Sequence, residues 1–358
     1  MHPERAGGTF RPTVYQDAVV KILLIKTSSL GDVFHTLPAL EDARRALPDL
    51  SVDWVVEEAF ADIPAWHPSV DKVIPVAWRR WRKQPLAAGN RSEMRAFYQA
   101  VNATEYDLVI DAQGLIKSAL ITRLARGRKV GLDRHSARES LAARAYDQAI
   151  AVPRGEHAIH RVRRLFAVAL GYELDMSRFS YGLDRSRWQA PVDATHYWLF
   201  LHGTTWVTKL WPESYWRQLA ADVVATGRLV VLPWGNNEEQ QRALRIAAGL
   251  AGVEVLPRMG LDQLTGYLAY AEAIVGVDTG LCHVAAALEV PAVAIYGATD
   301  ASLTGALGPA MTVLRSQYRC TPCLSKSCLY PGKGELQPPC YEEITPARVM
   351  QILLTGIN

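Results

Sequence analysis

The stretch that most constrains this chain runs from Ile22 to Leu40. Ile22, Leu23, Leu24 and Ile25 form an uninterrupted apolar run, as a strand covered on both faces of a parallel sheet requires. A polar turn with Thr27, Ser28, Ser29, Gly31 and Asp32 follows, and Val33, Leu37 and Leu40 then recur at helical spacing. Strand, turn and helix in that order put the turn at the carboxyl edge of a sheet, where open α/β proteins bind ligands. A helix start there offers unpaired backbone N–H groups to an anion. Asp32 is the one acid in that turn. A carboxylate facing an anion site is costly, so it reads either as a general base that abstracts a proton or as a plain helix cap.

The same alternation continues along the chain. Strands are predicted over 52–56, 70–76, 106–111 and 129–132, with helices over 93–103 and between 155 and 170. After a weakly periodic stretch over 172–192, read as the inter-domain linker, the pattern restarts. Strands over 197–202, 229–235 with its exit loop, 253–256, 273–277 and 291–297 with its turn alternate with helices over 213–226, 238–250, 261–270 and 281–287, and a final helix covers 346–354. This predicts an α/β fold of two doubly wound, Rossmann-like domains facing each other across a cleft, although no internal sequence repeat is visible. A length of 358 residues suits two domains. The expected boundaries are a disordered extension over 1–19, one domain over 20–180, a second over 181–343, and a C-terminal helix over 344–358.

No apolar run approaches the ~20 residues that cross a bilayer, and the polar N-terminus lacks the apolar centre of a signal peptide. The chain therefore reads as cytoplasmic, with peripheral membrane contact left open. A net charge of +3 is too small to argue for nucleic acid. Its distribution is more telling: Arg79, Arg80, Arg82, Lys83, Lys117, Arg138, His157 and Arg161 fall in the same half as Asp32 and read as projecting from loops. Singly each fits a solvated surface. Together they suit a polyanionic acceptor, whether carboxylated sugar, phosphorylated lipid or nucleic acid. Trp78 and Trp81, interleaved with them, suit stacking on sugar or a place in the bilayer interface.

The second half carries the complementary chemistry. Asp278, Thr279, Gly280 and His283 span a strand end and helix start, a donor-rich concavity for phosphate; the plain alternative is an Asx-type turn beside a core histidine. Thr204, Thr205 and Lys209 follow another strand and make a compact anion clamp, with Lys209 set to neutralise a leaving diphosphate. Glu238 and Glu239 follow Trp234-Gly235, where an acid takes ribose hydroxyls in dinucleotide sites or simply favours a helix N-terminus. Met259 reads as a nucleobase contact or a core residue. Cys320, Cys323, Cys328 and Cys340 have spacing that suits a structural zinc knuckle, against four reduced thiols in a proline-packed loop. No other set has catalytic-metal spacing.

Lys26-Thr27-Ser28-Ser29-Leu30-Gly31-Asp32 with His35-Thr36-Leu37-Pro38-Ala39-Leu40 resembles the opening of the bacterial lipopolysaccharide heptosyltransferases, glycosyltransferase family 9. Asp53 to Glu58, Arg79 to Lys83, Asp111 to Ser118, His202 to Thr205, Lys209 with Trp211-Pro212, Leu232 to Gly235, and Val277 to Gly280 with His283 look like the branch that adds the first inner-core heptose. The resemblance spans about residues 20–310. It implies a GT-B fold whose last helix crosses back to the first domain, and an inverting transfer of L-glycero-D-manno-heptose from ADP-heptose to the 5-hydroxyl of the first Kdo of Kdo2-lipid A. By that resemblance Asp32 is the base and Lys209 the leaving-group cation. Thr204, Thr205, Lys209, Asp278, Thr279, Gly280 and His283 form the donor pocket. Glu239 meets the ribose, Met259 the adenine, and Ser28, Ser29 and Gly31 line the cleft. The basic set faces the acceptor. The resemblance also implies that no cofactor is required, that no nucleic acid is involved, and that the protein works peripherally at the cytoplasmic face of the inner membrane. The cysteine segment departs from this branch and looks more like the tail of the enzymes that add the second heptose, the alternative activity. A dinucleotide-dependent oxidoreductase is disfavoured because no G-x-G-x-x-G opens the first helix. A non-catalytic sugar-nucleotide or lipid-binding protein is the remaining rival.

Overall fold

The computed structural model describes residues 19–84, 87–191, 196–331 and 336–356; most of the expected N-terminal extension (1–18), part of the expected linker (192–195) and part of the cysteine segment (332–335) lie outside them. The chain divides into two units. The first comprises the chain up to Ser28, Thr36–Arg154 and Ile159–Gly182, and the second Ser29–His35, Gly155–Ala158 and the chain from Leu183 onward. This differs from a simple division near residue 180, because two short pieces of the first half pack with the second.

In the first unit β1 (Val20–Ile25), β2 (Leu50–Glu57), β3 (Val70–Val76), β4 (Glu105–Asp111), β5 (Arg126–Leu132) and β6 (Gln148–Ile150) form one parallel sheet in the order β3-β2-β1-β4-β5-β6. The apolar run of β1 is why that strand lies centrally: Ile22, Leu23, Leu24 and Ile25 are fully buried, each stabilising the fold by about 1.5–3 kcal/mol relative to exposure. The helices α1 (Leu30–Phe34), α2 (Leu37–Ala46), α3 (Trp78–Lys83), α4 (Ala88–Asn102), α5 (Ile116–Leu124) and α6 (Ala158–Leu170) complete the first half of the chain. Phe97 and Val101 of α4, Ile121 of α5 and Trp81 of α3 pack with Leu23, Ile25 and Val109 on one sheet face.

In the second unit β7 (Tyr197–Leu201), β8 (Leu229–Leu232), β9 (Val253–Val255), β10 (Ala273–Val277), β11 (Ala292–Tyr296) and β12 (Met311–Arg315) form a second parallel sheet, ordered β12-β11-β10-β7-β8-β9. Numbered from its own first strand, this order is the same as in the first sheet, the doubly wound 3-2-1-4-5-6 pattern. The helices are α7 (Glu213–Val224), α8 (Asn237–Ala247), α9 (Leu261–Tyr270), α10 (Gly280–Ala287), α11 (Ala301–Thr304) and α12 (Pro346–Gly356). Within the second unit, Val349 and Leu353 of α12 join the core with Trp211, Trp216 and Tyr341, and α12 packs on α7 and β11. Trp211 Nε1 donates to Ile344 O at 2.9 Å just before it.

Candidate active site

Each sheet reverses its strand order at one point, between β1 and β4 in the first unit and between β7 and β10 in the second. Crevices at such switch points bind ligands, and Ser28, Ser29, Asp32, Lys117, Thr204, Thr205, Lys209, Asp278, Thr279 and His283 lie in the loops and first helical turns that follow these four strands. In the first unit the loops after β1 and β4 are tied together. Thr27 N and Ser28 N donate to Gln113 Oε1 at 3.0 and 3.2 Å, and Lys26 Nζ donates to Ala112 O at 2.9 Å. Asp111 is fully buried and accepts from Gln113 N, Gly114 N and the Tyr146 hydroxyl. Burial raises its pKa, with these hydrogen bonds opposing the shift. Gly114 has φ +66°, the left-handed conformation glycine adopts without penalty. Lys117, in the first turn of α5, donates to Ser28 Oγ at 3.0 Å.

In the second unit Asp32 sits in the first turn of α1, half-buried, and its Oδ2 accepts from Ser29 N at 2.8 Å and Ser29 Oγ at 3.1 Å. The capping reading is therefore realised, on the same carboxylate that the base reading requires. The helix carrying it meets the start of α10 at two glycines. A Cβ on Gly31 would stand 2.8 Å from the His283 ring, and a Cβ on Gly280 would stand 2.6 Å from Leu30 Cδ2. Only glycine permits that approach. It brings Asp32 close enough to His283 to influence its protonation.

His283 is buried and its pKa is lowered to about 4, chiefly by desolvation, with His157 and Lys209 adding to the shift and Asp278 and Asp32 opposing it. It is a neutral imidazole at neutral pH. His35 stands against it edge to face at 4.6 Å between ring centroids and lies 5.6 Å from His157. His157 Nε2 donates to Gly305 O at 2.9 Å. This groups His157 with the second unit's residues, although it lies in the first half of the sequence.

Lys209 ends a short 3₁₀ turn, Val207–Lys209, and its ammonium lies 2.7 Å from Asp278 Oδ2 and 4.6 Å from the centre of the Trp206 ring. Thr299 Oγ1 also donates to Asp278 Oδ2, and Thr204 Oγ1 donates to Asp278 O at 2.8 Å. Asp278 thus holds Lys209 and Thr204 in place. Thr279 is the N-cap residue of α10, and Thr205 is exposed beside Thr204. Thr299 was not singled out from sequence; its only signal is a Gly-Ala-Thr exit after β11.

A cavity of about 460 Å³ opens nearby, lined by Gly203, Thr204, Leu210, Asn237, Glu239 and Arg242, among others. Glu239 Oε2 accepts from Gly235 N at 2.7 Å, and its carboxyl carbon would be 2.7 Å from a Cβ on Gly203. Both readings of Glu239 fit: it is in the first turn of α8 and it faces a cavity. Arg242, which sequence reasoning missed, is anchored on Glu213 at 3.0 Å and on Trp211 O. Burial lowers its pKa. Met259 is half-buried in the loop before α9, next to Arg258, which lines a neighbouring cavity of about 460 Å³ with Trp234 and Gly235.

The basic set is not a set of loop residues. Arg79, Arg80, Arg82 and Lys83 occupy α3, and Arg161 lies in α6, donating to Ser136 O at 2.6 Å. Arg80 is paired with Glu58 at 2.9 Å and Glu93 at 2.8 Å, so its charge is spent locally. Arg79 lies over the Phe60 ring, and its backbone N–H donates to Glu57 Oε1 at 3.1 Å. Arg82, Lys83 and Arg138 are exposed. Trp81 is only 7% exposed, packs in the core and donates to Glu93. The cysteines are free thiols, with Cys320, Cys323 and Cys328 exposed and Cys340 buried. Among the described residues no group of three or more His, Cys, Asp or Glu is arranged to hold a metal ion; Cys320, Cys323 and Cys328 stand close enough to Cys340 to help burial push its thiol up to about 12. Among the described residues no helix is long and apolar enough to cross a membrane.

Comparison with known proteins bears on this geometry directly. The profile of glycosyltransferase family 9 (heptosyltransferase) matches residues 94–333. The lipopolysaccharide heptosyltransferase 1 of Pseudomonas aeruginosa is 52% identical over 340 residues, covering 92% of this chain and 96% of that protein. The protein of the same name from Escherichia coli K12 is 48% identical over 299 residues, covering 83% and 94%. The solved structure of E. coli heptosyltransferase WaaC with ADP superposes at a TM-score of 0.83 with 44% identity, covering 94% of this chain and 100% of that one, which bears out the GT-B fold class. Twin sheets of one strand order, switch-point loops rich in hydroxyls and cations, and identity of this extent lead to one conclusion: the chain belongs to glycosyltransferase family 9, the heptosyltransferases.

Proposed function

We propose that this enzyme moves L-glycero-D-manno-heptose from ADP-heptose to the 5-hydroxyl of the first Kdo of Kdo2-lipid A, by a single displacement that inverts the anomeric carbon. The Kdo oxygen forms the new bond to that carbon as the bond to the diphosphate oxygen breaks. Asp32 takes the hydroxyl proton, and ADP departs with the electron pair. Lys209 and the N-terminus of α10 balance the charge that grows on the leaving diphosphate. Neutral His283 supplies a hydrogen bond without adding charge, and Glu239 and Arg242 border the nucleoside end. Arg79, Arg82, Lys83, Lys117, Arg138 and Arg161 meet the carboxylates and phosphates of the acceptor, with contact at the surface of the inner membrane.

The observation that carries this reading is the close approach of α1 and α10 at Gly31 and Gly280, which gathers Asp32, Lys209 and Asp278 within electrostatic reach of His283. The relatives named for the first heptose transfer, at 48–52% identity, support that acceptor. The test is transfer by Asp32→Ala, with ADP binding measured alongside. A fall in kcat of at least ~100-fold, the scale of a lost general base, with ADP binding retained, is expected. Full transfer by Asp32→Ala overturns the mechanism.

A further inference from the structure

The apolar residues on one face of the first unit, beside the cations assigned to the acceptor, have no part in the chemistry above. Along α5, Ile116, Leu120 and Leu124 recur every fourth residue and are 44%, 54% and 41% exposed, and Tyr98 of α4 is 50% exposed. Residues four apart share one helix face, so these make an outward apolar stripe. Beside it lies a cavity of about 380 Å³ lined by Trp78, Trp81, Phe97, Tyr98, Leu120 and Leu124, with Arg82 its one charged lining residue. A volume of that order takes a small apolar ligand. An apolar surface of this kind is unusual unless something covers it.

The surrounding charge indicates what that is. Arg79, Arg82 and Lys83 are exposed on α3, and Arg123 is exposed next to Leu124. The nearby carboxylates of Glu58 and Glu93 are both engaged by Arg80, so the rim presents net positive charge around an apolar centre. That combination matches an acidic lipid surface, where cations meet headgroup phosphates and leucine and aromatic side chains enter the acyl boundary. We propose that the face built by α3, α4 and α5 docks the enzyme onto an anionic phospholipid bilayer, with Leu120 and Leu124 entering the headgroup layer and the cavity between α3, α4 and α5 seating a fatty-acyl chain. The inference rests on the membrane contact proposed above and is independent of which sugar is transferred.

The experiment is co-sedimentation of the full chain with vesicles of phosphatidylglycerol and phosphatidylcholine, and with vesicles of phosphatidylcholine alone. The unsubstituted protein partitions onto the anionic vesicles and is released by added salt. The double substitution Leu120→Asp with Leu124→Asp lowers that partition by at least about tenfold. Its transfer to a water-soluble, deacylated acceptor stays at the unsubstituted level, which establishes that it is folded. Equal partition of the double variant, salt-insensitive binding to both vesicle types, or no vesicle binding by the unsubstituted protein overturns the proposal. So does a double variant whose only change is loss of a dimer, since the face then covers a second copy of the chain. Heptose transfer that persists while partition fails removes this surface and leaves the proposed activity standing.

Discussion

At the scale of single residues the account turns on two glycines and a histidine. Gly31 and Gly280 are spaced like ordinary turn glycines, and nothing local in the sequence tells that they face Leu30 and His283 at distances no side chain tolerates. Gly31→Ala forces the His283 ring or α1 to move. It is expected to cost about 1–3 kcal/mol in stability, the usual toll of overpacking, and to reduce transfer by more than that loss alone explains; thermal unfolding and kcat measured on the same sample check both. Asp32 shows why its role stayed open in the sequence. Capping and proton abstraction ask for the same carboxylate at the same helix start, so local pattern cannot separate them, and the structure realises the cap through Ser29. Lys209 and Asp278 were both legible as site residues, but their 2.7 Å pairing joins segments 69 residues apart in sequence and has no local signature.

At the scale of elements, legibility followed burial. The central strands β1, β7 and β10 are apolar runs and β4 holds one over Leu108, Val109 and Ile110, so all four read directly, whereas β6 and β12 escape the pattern because they lie at sheet edges. Gln148-Ala149-Ile150 is too short to show a pattern, and Met311–Arg315 keeps only Leu314 fully inside. Helix α3 is not legible as a helix: six residues with four cations do not show periodicity, and its anchor, Trp81, is identified only by its contacts with Phe97 and the sheet. Helix α12 is the opposite case: its existence is plain in the sequence, while its packing partners Trp211 and Trp216 are not. With Leu353 only 3% exposed in the core that also holds Trp211 and Trp216, Leu353→Ala is expected to cost about 2–5 kcal/mol, measurable by urea unfolding followed through tryptophan fluorescence.

At the scale of the whole molecule, the two sheets share one strand order although their sequences show no repeat, because the pattern needs only buried parallel strands and right-handed crossovers. The molecule's acid response is also distributed over both units. His67, His202 and His283 are each held near pKa 4 by burial, below their ordinary 6.5. Folded and unfolded chains bind protons equally at these sites above pH 6.5. Between 6.5 and 4 only the unfolded chain takes them up, so stability falls as pH drops through that window and, for these groups, levels off below 4. Each site contributes up to roughly 3 kcal/mol, and Tm is expected to decline steeply between pH 6.5 and pH 4. The most direct test of the central claim is an assay of the purified enzyme with ADP-heptose and Kdo2-lipid A, run beside an acceptor already carrying its first heptose. Transfer to Kdo2-lipid A alone, giving an α-linked product, is the predicted result; transfer only to the heptosylated acceptor, or to neither, contradicts it.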